Sequence, residues 1–208
     1  WNSAVIAPRL VASAFAAGPS ILVIALHVIS KTTDYQVPEK AFLTLRNIVR
    51  IAMAASFFLL MSELFTEFYT DSAHVASARY LFLGLEGRYG LVAWIWTALS
   101  LNAIGLVILF TPASKSRGFL ISACAMMIVG VWIEKGMGLV VPGFIPTSLG
   151  VIHEYMPNHI EVRVSLGVWA LGLMIFTGLA KGALRVQGLD GPLSDPAGSA
   201  PPGYRSGL

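Results

Sequence analysis

Three glutamates stand inside long apolar stretches of the sequence, where a charged side chain is unusual. Glu63 and Glu67 lie four residues apart near the end of one stretch, so they share one helix face, and Glu134 lies in a later stretch. An ionised side chain at the centre of a membrane helix costs roughly 2.5–3.5 kcal/mol on insertion scales. Such residues normally face a bundle interior or a wet cavity, and proton transfer is the chemistry they can perform there.

The same acids admit a structural interpretation. Helix rise places Glu63 about 20 Å and Glu134 about 25 Å from the far ends of their spans, in one outer third of the membrane. From there a glutamate can reach the interface or pair with Arg79, Arg88 or Lys135. Adjacent helix residues point about 100° apart, so we expect Lys135 to turn away from Glu134. If the acids instead face one interior, we expect repulsion and desolvation to leave one of them protonated.

His27 is the only histidine among the residues between Arg9 and Lys31. An imidazole titrates near neutral pH, which suits a proton relay. A histidine at the membrane interface without a specific function is an equally good interpretation. The other histidines fall between the predicted spans, so no pair is placed to ligate a haem within this segment. Those residues are His74, His153 and His159.

The elements that must position these residues are membrane helices. Charged residues make up 12% of the chain, about half of what a soluble domain carries, and the mean hydropathy is +0.73. A span needs roughly 20 mostly apolar residues. We therefore predict an all-α integral membrane bundle of about five transmembrane helices. The predicted spans are residues 10–30, 43–69, 89–112, 118–140 and 162–180.

The segment after Gly188 is rich in Gly, Pro and Ser, so we predict a helical bundle over 1–187 and a disordered tail over 188–208. The net charge is a modest +3 with scattered basic residues, which argues against nucleic acid. Cys124, the single cysteine, cannot form an internal disulfide or hold an iron–sulfur cluster. No CxxCH motif attaches a haem. We expect metal centres only in partner subunits.

Lys and Arg are distributed unequally between the two sides of the predicted bundle, and the richer side should be cytoplasmic. This places the start of the segment outside and the tail in the cytoplasm. The richer side holds Lys31, Lys40, Arg46, Arg50, Lys115, Arg117, Lys181, Arg185 and Arg205. The other side holds Arg9, Arg79, Arg88 and Arg163. We predict that the outer connections dock a partner subunit through His74, Arg79, Tyr80, Phe144 and Tyr155.

Two pairs of motifs carry a resemblance to a known family. The second span ends in SELFTEFY (62–69), followed by RYLF (79–82); the fourth holds VWIEKG (131–136), followed by VPGFIP (141–146). Together they resemble the C-terminal half of the NrfD/PsrC, or polysulfide-reductase-type, membrane subunits. The last two motifs are most similar to the DsrP/HmcC branch of sulfur-metabolism redox complexes. The resemblance covers about residues 1–181.

The resemblance implies a multi-pass inner-membrane subunit of a respiratory complex that is not catalytic alone and binds no cofactor covalently. Such subunits exchange electrons and protons with menaquinone or ubiquinone. Haem and iron–sulfur clusters then belong to partners, namely a ferredoxin-like subunit, a multihaem cytochrome c and other subunits of the complex. Family members have two helical bundles, so we expect the N-terminal bundle, with most quinone contacts, to lie outside this segment. Glu63, Glu67, Glu134 and His27 would serve quinone or proton movement.

Two other functions fit the same sequence, a small proton-coupled transporter and a purely structural membrane anchor. A transporter predicts helices broken near the midplane by Gly or Pro, whereas the second, third and fifth spans contain no interior Pro. Purification of the intact assembly separates the three functions. Co-purified redox subunits argue against the transporter, and quinol-dependent activity argues against the anchor.

Overall fold

The computed structural model describes residues 5–33, 36–70, 75–85, 87–140 and 158–186. Over these residues the chain is all-α, with one isolated β-bridge between Leu85 and Arg88. Five of its helices are long and apolar enough to cross a membrane, which confirms the predicted fold class.

Six α-helices and two short helical turns form the described structure. They are α1 (Ile6–Thr32), α2 (Glu39–Thr70), α3 (Val75–Phe82), α4 (Val92–Phe110), a 3-10 turn (Pro112–Lys115), α5 (Arg117–Lys135), a π-helical turn (Gly136–Val140) and α6 (His159–Val186). All except α3 and the 3-10 turn contribute to the five membrane-crossing segments.

The first turn of α1 contains Arg9, a residue of the site described below. The sequence predicts a first span from residue 10, with the charged Arg9 just outside it. The helix begins at Ile6 instead, and the Arg9 backbone N–H donates to Val5 O at 3.0 Å. Arg9 is therefore a buried residue of the first helical turn.

The connection that follows α2 contains a helix that we did not predict. The buried residues of α3 form a hydrophobic cluster with the first part of α4, and Trp96 Nε1 donates to Phe82 O at 3.2 Å. The turn between them needs Gly84, whose φ is +82° and whose missing Cβ would lie 2.4 Å from Tyr89. The cluster consists of Tyr80, Leu81, Phe82, Leu91 and Ile95.

Helices α4 and α5 approach each other closely because small residues line their contact. A Cβ on Gly105 would lie 3.1 Å from Ala123 O, and one on Gly130 would lie 3.0 Å from Ala98 O. Outward-facing side chains such as Phe58 are large, apolar and exposed, which suits contact with lipid.

The chain divides into two compact units, residues 1–26 with 38–156 and residues 27–37 with 157–208. In the second unit, α6 is a 28-residue apolar helix without a buried residue. Glu161 caps its start by accepting a hydrogen bond from the Asn158 N–H at 2.9 Å.

Candidate functional site: a buried ion network

Arg9 is the centre of an ion network at one end of the first unit. Its Nη1 donates to Glu63 Oε2, and its Nη2 lies 3.4 Å from Glu134 Oε1. One guanidinium on α1 thus joins carboxylates on α2 and α5. The planar fork of arginine suits this bridging role, because its donors point in fixed directions.

The carboxylate of Glu134 has a partner at each oxygen. Lys135 Nζ donates to Oε1 at 2.9 Å, and Asn102 Nδ2 donates to Oε2 at 3.2 Å. Glu134 and Asn102 are both buried. Because a buried charge needs paired and hydrogen-bonded surroundings, these contacts explain how an ionised glutamate can be accommodated here.

We define the buried ion network as Arg9, Glu63, Asn102, Glu134 and Lys135. It contains two cations and two carboxylates, so its formal charges balance. The expectation that one acid is protonated rests on repulsion between carboxylates that face one interior, and it stays a prediction. Arg9 lies between the carboxylates and replaces repulsion with attraction.

The expectation that Lys135 turns away from Glu134 is wrong. The 100° angle applies to the directions in which neighbouring side chains leave the helix, whereas a lysine has four flexible methylene groups. Its ammonium bends back to Glu134 Oε1. Lys135 is also the last residue of α5, directly before the π-helical turn.

Asn102 is positioned by a glycine on the facing helix. A Cβ on Gly130 would lie 2.2 Å from Asn102 Oδ1, so only glycine leaves room for this amide. Asn102 Oδ1 is buried and has no hydrogen-bond partner among the described residues. The amide therefore makes its Glu134 contact while its own acceptor stays unsatisfied, which is costly for a buried polar atom.

The predicted proton-path residues do not all meet. Glu63 and Glu134 are joined through Arg9. Glu67 is half-buried on α2 and has neither an ion pair nor a hydrogen bond within the part of the chain that is described. His27 is half-buried in the last third of α1 and belongs to the second unit.

The predicted docking residues are only partly described. His74, Phe144 and Tyr155 lie outside the described residues. Arg79 is exposed on α3. Tyr80 is only 1% exposed because it packs in the cluster between α3 and α4, so we leave it out of any docking surface.

Two network members were not recognised from sequence. The sequence places Arg9 at the boundary of the first span, at the same end of the bundle as both acids, where it is a cation they can pair with. Asn102 is the only amide side chain in α4, which is otherwise apolar except for Thr97 and Ser100. A search for cations and amides at the depth of the buried acids would have found both residues.

Metal binding has no support in the described ranges, where no group of three or more His, Cys, Asp or Glu residues could hold an ion. The side chains that converge are proton donors and acceptors. Fold and site together thus define a multi-pass helical membrane protein with a buried network of two cations, two carboxylates and one amide.

The family model described as Polysulphide reductase, NrfD, matches residues 1–145. Since the match covers more than half of the chain, this protein belongs to the NrfD polysulphide reductase family. The matched region includes every residue of the buried ion network and ends before α6. No curated protein and no solved structure matched the chain.

Proposed function

We propose that this chain is a membrane subunit of a redox complex that couples membrane quinone to partner subunits, and that its buried ion network exchanges the protons of that reaction. The observation that carries the proposal is the convergence of Arg9, Glu63 and Glu134 from three helices onto one buried site. Membership of the NrfD family supports the redox setting.

A purely structural role accounts poorly for the network. Buried ion pairs are costly to desolvate, and apolar replacements of similar volume are often neutral or stabilising. Helices in lipid can associate through small-residue packing, which α4 and α5 already possess. Four helices nevertheless contribute ionic or amide groups here, which fits a functional requirement for charge at this depth.

The four charged side chains of the network differ in exposure, so they suit different steps of proton transfer. Side chains of Arg9 and Glu134 are 7% and 4% exposed, whereas those of Glu63 and Lys135 are 13% and 19% exposed. Protons would therefore enter or leave at Glu63 and Lys135. Lys135 can pass a proton to Glu134 across their 2.9 Å contact. Arg9 keeps the carboxylates in place and can shift its pairing towards Glu63 when Glu134 is neutral.

The donor set fits a quinone headgroup in its chemistry. When bound, a quinol would supply electrons to partner subunits and release protons. Glu134 and Glu63 are the carboxylates able to accept such protons, and Lys135 is a partly open hydrogen-bond donor for a carbonyl oxygen.

The test compares quinol oxidation by the intact complex carrying Glu134→Gln or Glu63→Gln. Glutamine keeps the shape and accepts hydrogen bonds but does not exchange a proton. We expect each variant to assemble and to lose at least about a hundredfold in turnover, which is the low end of what proton transfer contributes. Glu39→Gln is the matched control, because Glu39 is an exposed residue of the first turn of α2. Wild-type turnover in both assembled network variants would overturn the proposal.

The surroundings of this subunit follow from the resemblance of its motifs. We propose an inner-membrane complex of sulfur metabolism, of the DsrP/HmcC branch, with iron–sulfur and cytochrome c partners and with menaquinone or ubiquinone as exchangeable ligand. Purification of the complex tests this directly. A stable preparation that oxidises quinol but contains neither iron–sulfur nor haem subunits would contradict the proposed partners.

A further inference from the structure

The bundle end opposite the ion network carries a group of basic side chains. Arg46 and Arg50 lie one turn apart in the first part of α2, Lys115 ends the 3-10 turn, and Arg117 begins α5. We call these four residues the basic end. Among the described residues, none of them forms an ion pair with a carboxylate.

Two guanidinium groups of the basic end are held against aromatic rings. The Cζ of Arg50 lies 5.3 Å from the ring centroid of Phe110, and the Cζ of Arg117 lies 4.6 Å from that of Phe42. A cation over a ring face is attracted by the ring quadrupole. These contacts join α2 to α4 and α5, and they restrict side chains that would otherwise extend freely.

Arg46 is held by a hydrogen bond and keeps an unused donor. Its Nη1 donates to Ser114 Oγ at 3.3 Å, and Ser114 Oγ donates to Thr111 O at 2.8 Å. The Arg46 Nε atom is buried and has no hydrogen-bond partner in the described ranges. A buried charged donor without an acceptor is costly. The basic end therefore lacks an anionic acceptor beside Arg46.

Apolar surface adjoins these cations. Phe110 is 59% exposed and Phe119 is 55% exposed, on the parts of α4 and α5 nearest the basic end. A free inorganic anion makes no favourable contact with such apolar surface, whereas the acyl chains of a lipid would pack against it. Basic pockets between membrane helices bind the headgroups of anionic lipids.

We propose that the basic end is a binding site for the phosphate of an anionic phospholipid headgroup. Arg46, Arg50 and Arg117 contact the phosphate, and the acyl chains lie against Phe110 and Phe119. Ordinary snorkelling of cations to the membrane surface requires neither aromatic restraint nor a buried donor without a partner. The basic end holds four cations and none is paired with a carboxylate in the described ranges, so it repels the cationic group of a zwitterionic headgroup and prefers anionic lipid.

The experiment measures lipid retention by the purified protein, kept as its intact assembly, in native mass spectrometry. Phosphatidylglycerol, phosphatidylcholine and inorganic phosphate are added separately. We expect selective retention of phosphatidylglycerol, reduced about tenfold in the Arg46→Gln/Arg50→Gln double variant. Arg117→Gln alters an exposed residue and should reduce retention without a folding defect. Lys181→Gln is the control, because it removes an exposed cation of α6.

Three outcomes would overturn the proposal. They are equal retention of the two phospholipids, undiminished retention of phosphatidylglycerol in the variants, and full displacement of the lipid by inorganic phosphate. The last result would identify a free-phosphate site instead.

Discussion

At the scale of single residues, the feature that matters most is the complete pairing of Glu134. Arg9 and Lys135 reach one carboxylate oxygen and Asn102 reaches the other. The charged form is therefore supported by two ion pairs and one neutral donor. Asn102 is the network member that can be replaced without removing a charge, so its replacement tests what the hydrogen bond to Glu134 contributes.

Replacing Asn102 with leucine should slow quinol turnover. Leucine keeps the volume but removes the donor to Glu134 Oε2, so this buried carboxylate oxygen loses a hydrogen bond. We expect turnover in the assembled complex to fall about tenfold, which corresponds to about 1.4 kcal/mol. Thr97→Val is the control, because Thr97 is exposed on α4 and its hydroxyl donates to Ala93 O of the same helix. Wild-type turnover in assembled Asn102→Leu would show that this contact has no influence on the site.

At the scale of helices, the site depends on the close contact between α4 and α5. Gly130 lies opposite Asn102, and a Cβ there would come within 2.2 Å of Asn102 Oδ1. The same Cβ would lie 3.0 Å from Ala98 O, a backbone atom that can give way only if the helices shift.

Gly130→Ala should lower the stability of the chain by about 1–3 kcal/mol through overpacking. Gly118→Ala is the matched control, since a Cβ there meets nothing within 4 Å and alanine favours the helix. Unfolding in a denaturing detergent measures both variants. Equal stability of Gly130→Ala and the wild type would mean that α4 and α5 are not in tight contact at this level.

At the scale of the whole molecule, the sequence predicted the fold better than the site. The membrane imposes span length and polarity on each helix separately, so five helices could be recognised from local composition. The direction of a charged side chain near the end of a span cannot be read from the sequence, because tertiary packing determines whether it faces the bundle interior or the membrane surface. Arg9 was misplaced for this reason, as was Lys135, whose flexible side chain bends back. The membrane orientation inferred from Lys and Arg remains a prediction.

The acids were recognisable because a carboxylate at membrane depth is costly wherever it lies. Their partners were not, because pairing depends on which helices are neighbours. Glu63 and Glu67 have the same chemistry and are separated by one helical turn. Of these two, Glu63 pairs with Arg9 and Glu67 does not, so helix position rather than residue type distinguishes them.

The central claim, proton exchange at the buried ion network, is tested most directly by infrared difference spectroscopy of the intact complex during quinol oxidation. We expect a band from a carboxyl group that gains a proton, lost in Glu134→Gln or Glu63→Gln and retained in Glu39→Gln. If the spectra of both network variants match that of the wild type, these carboxylates keep their protonation state throughout turnover, and the network is structural.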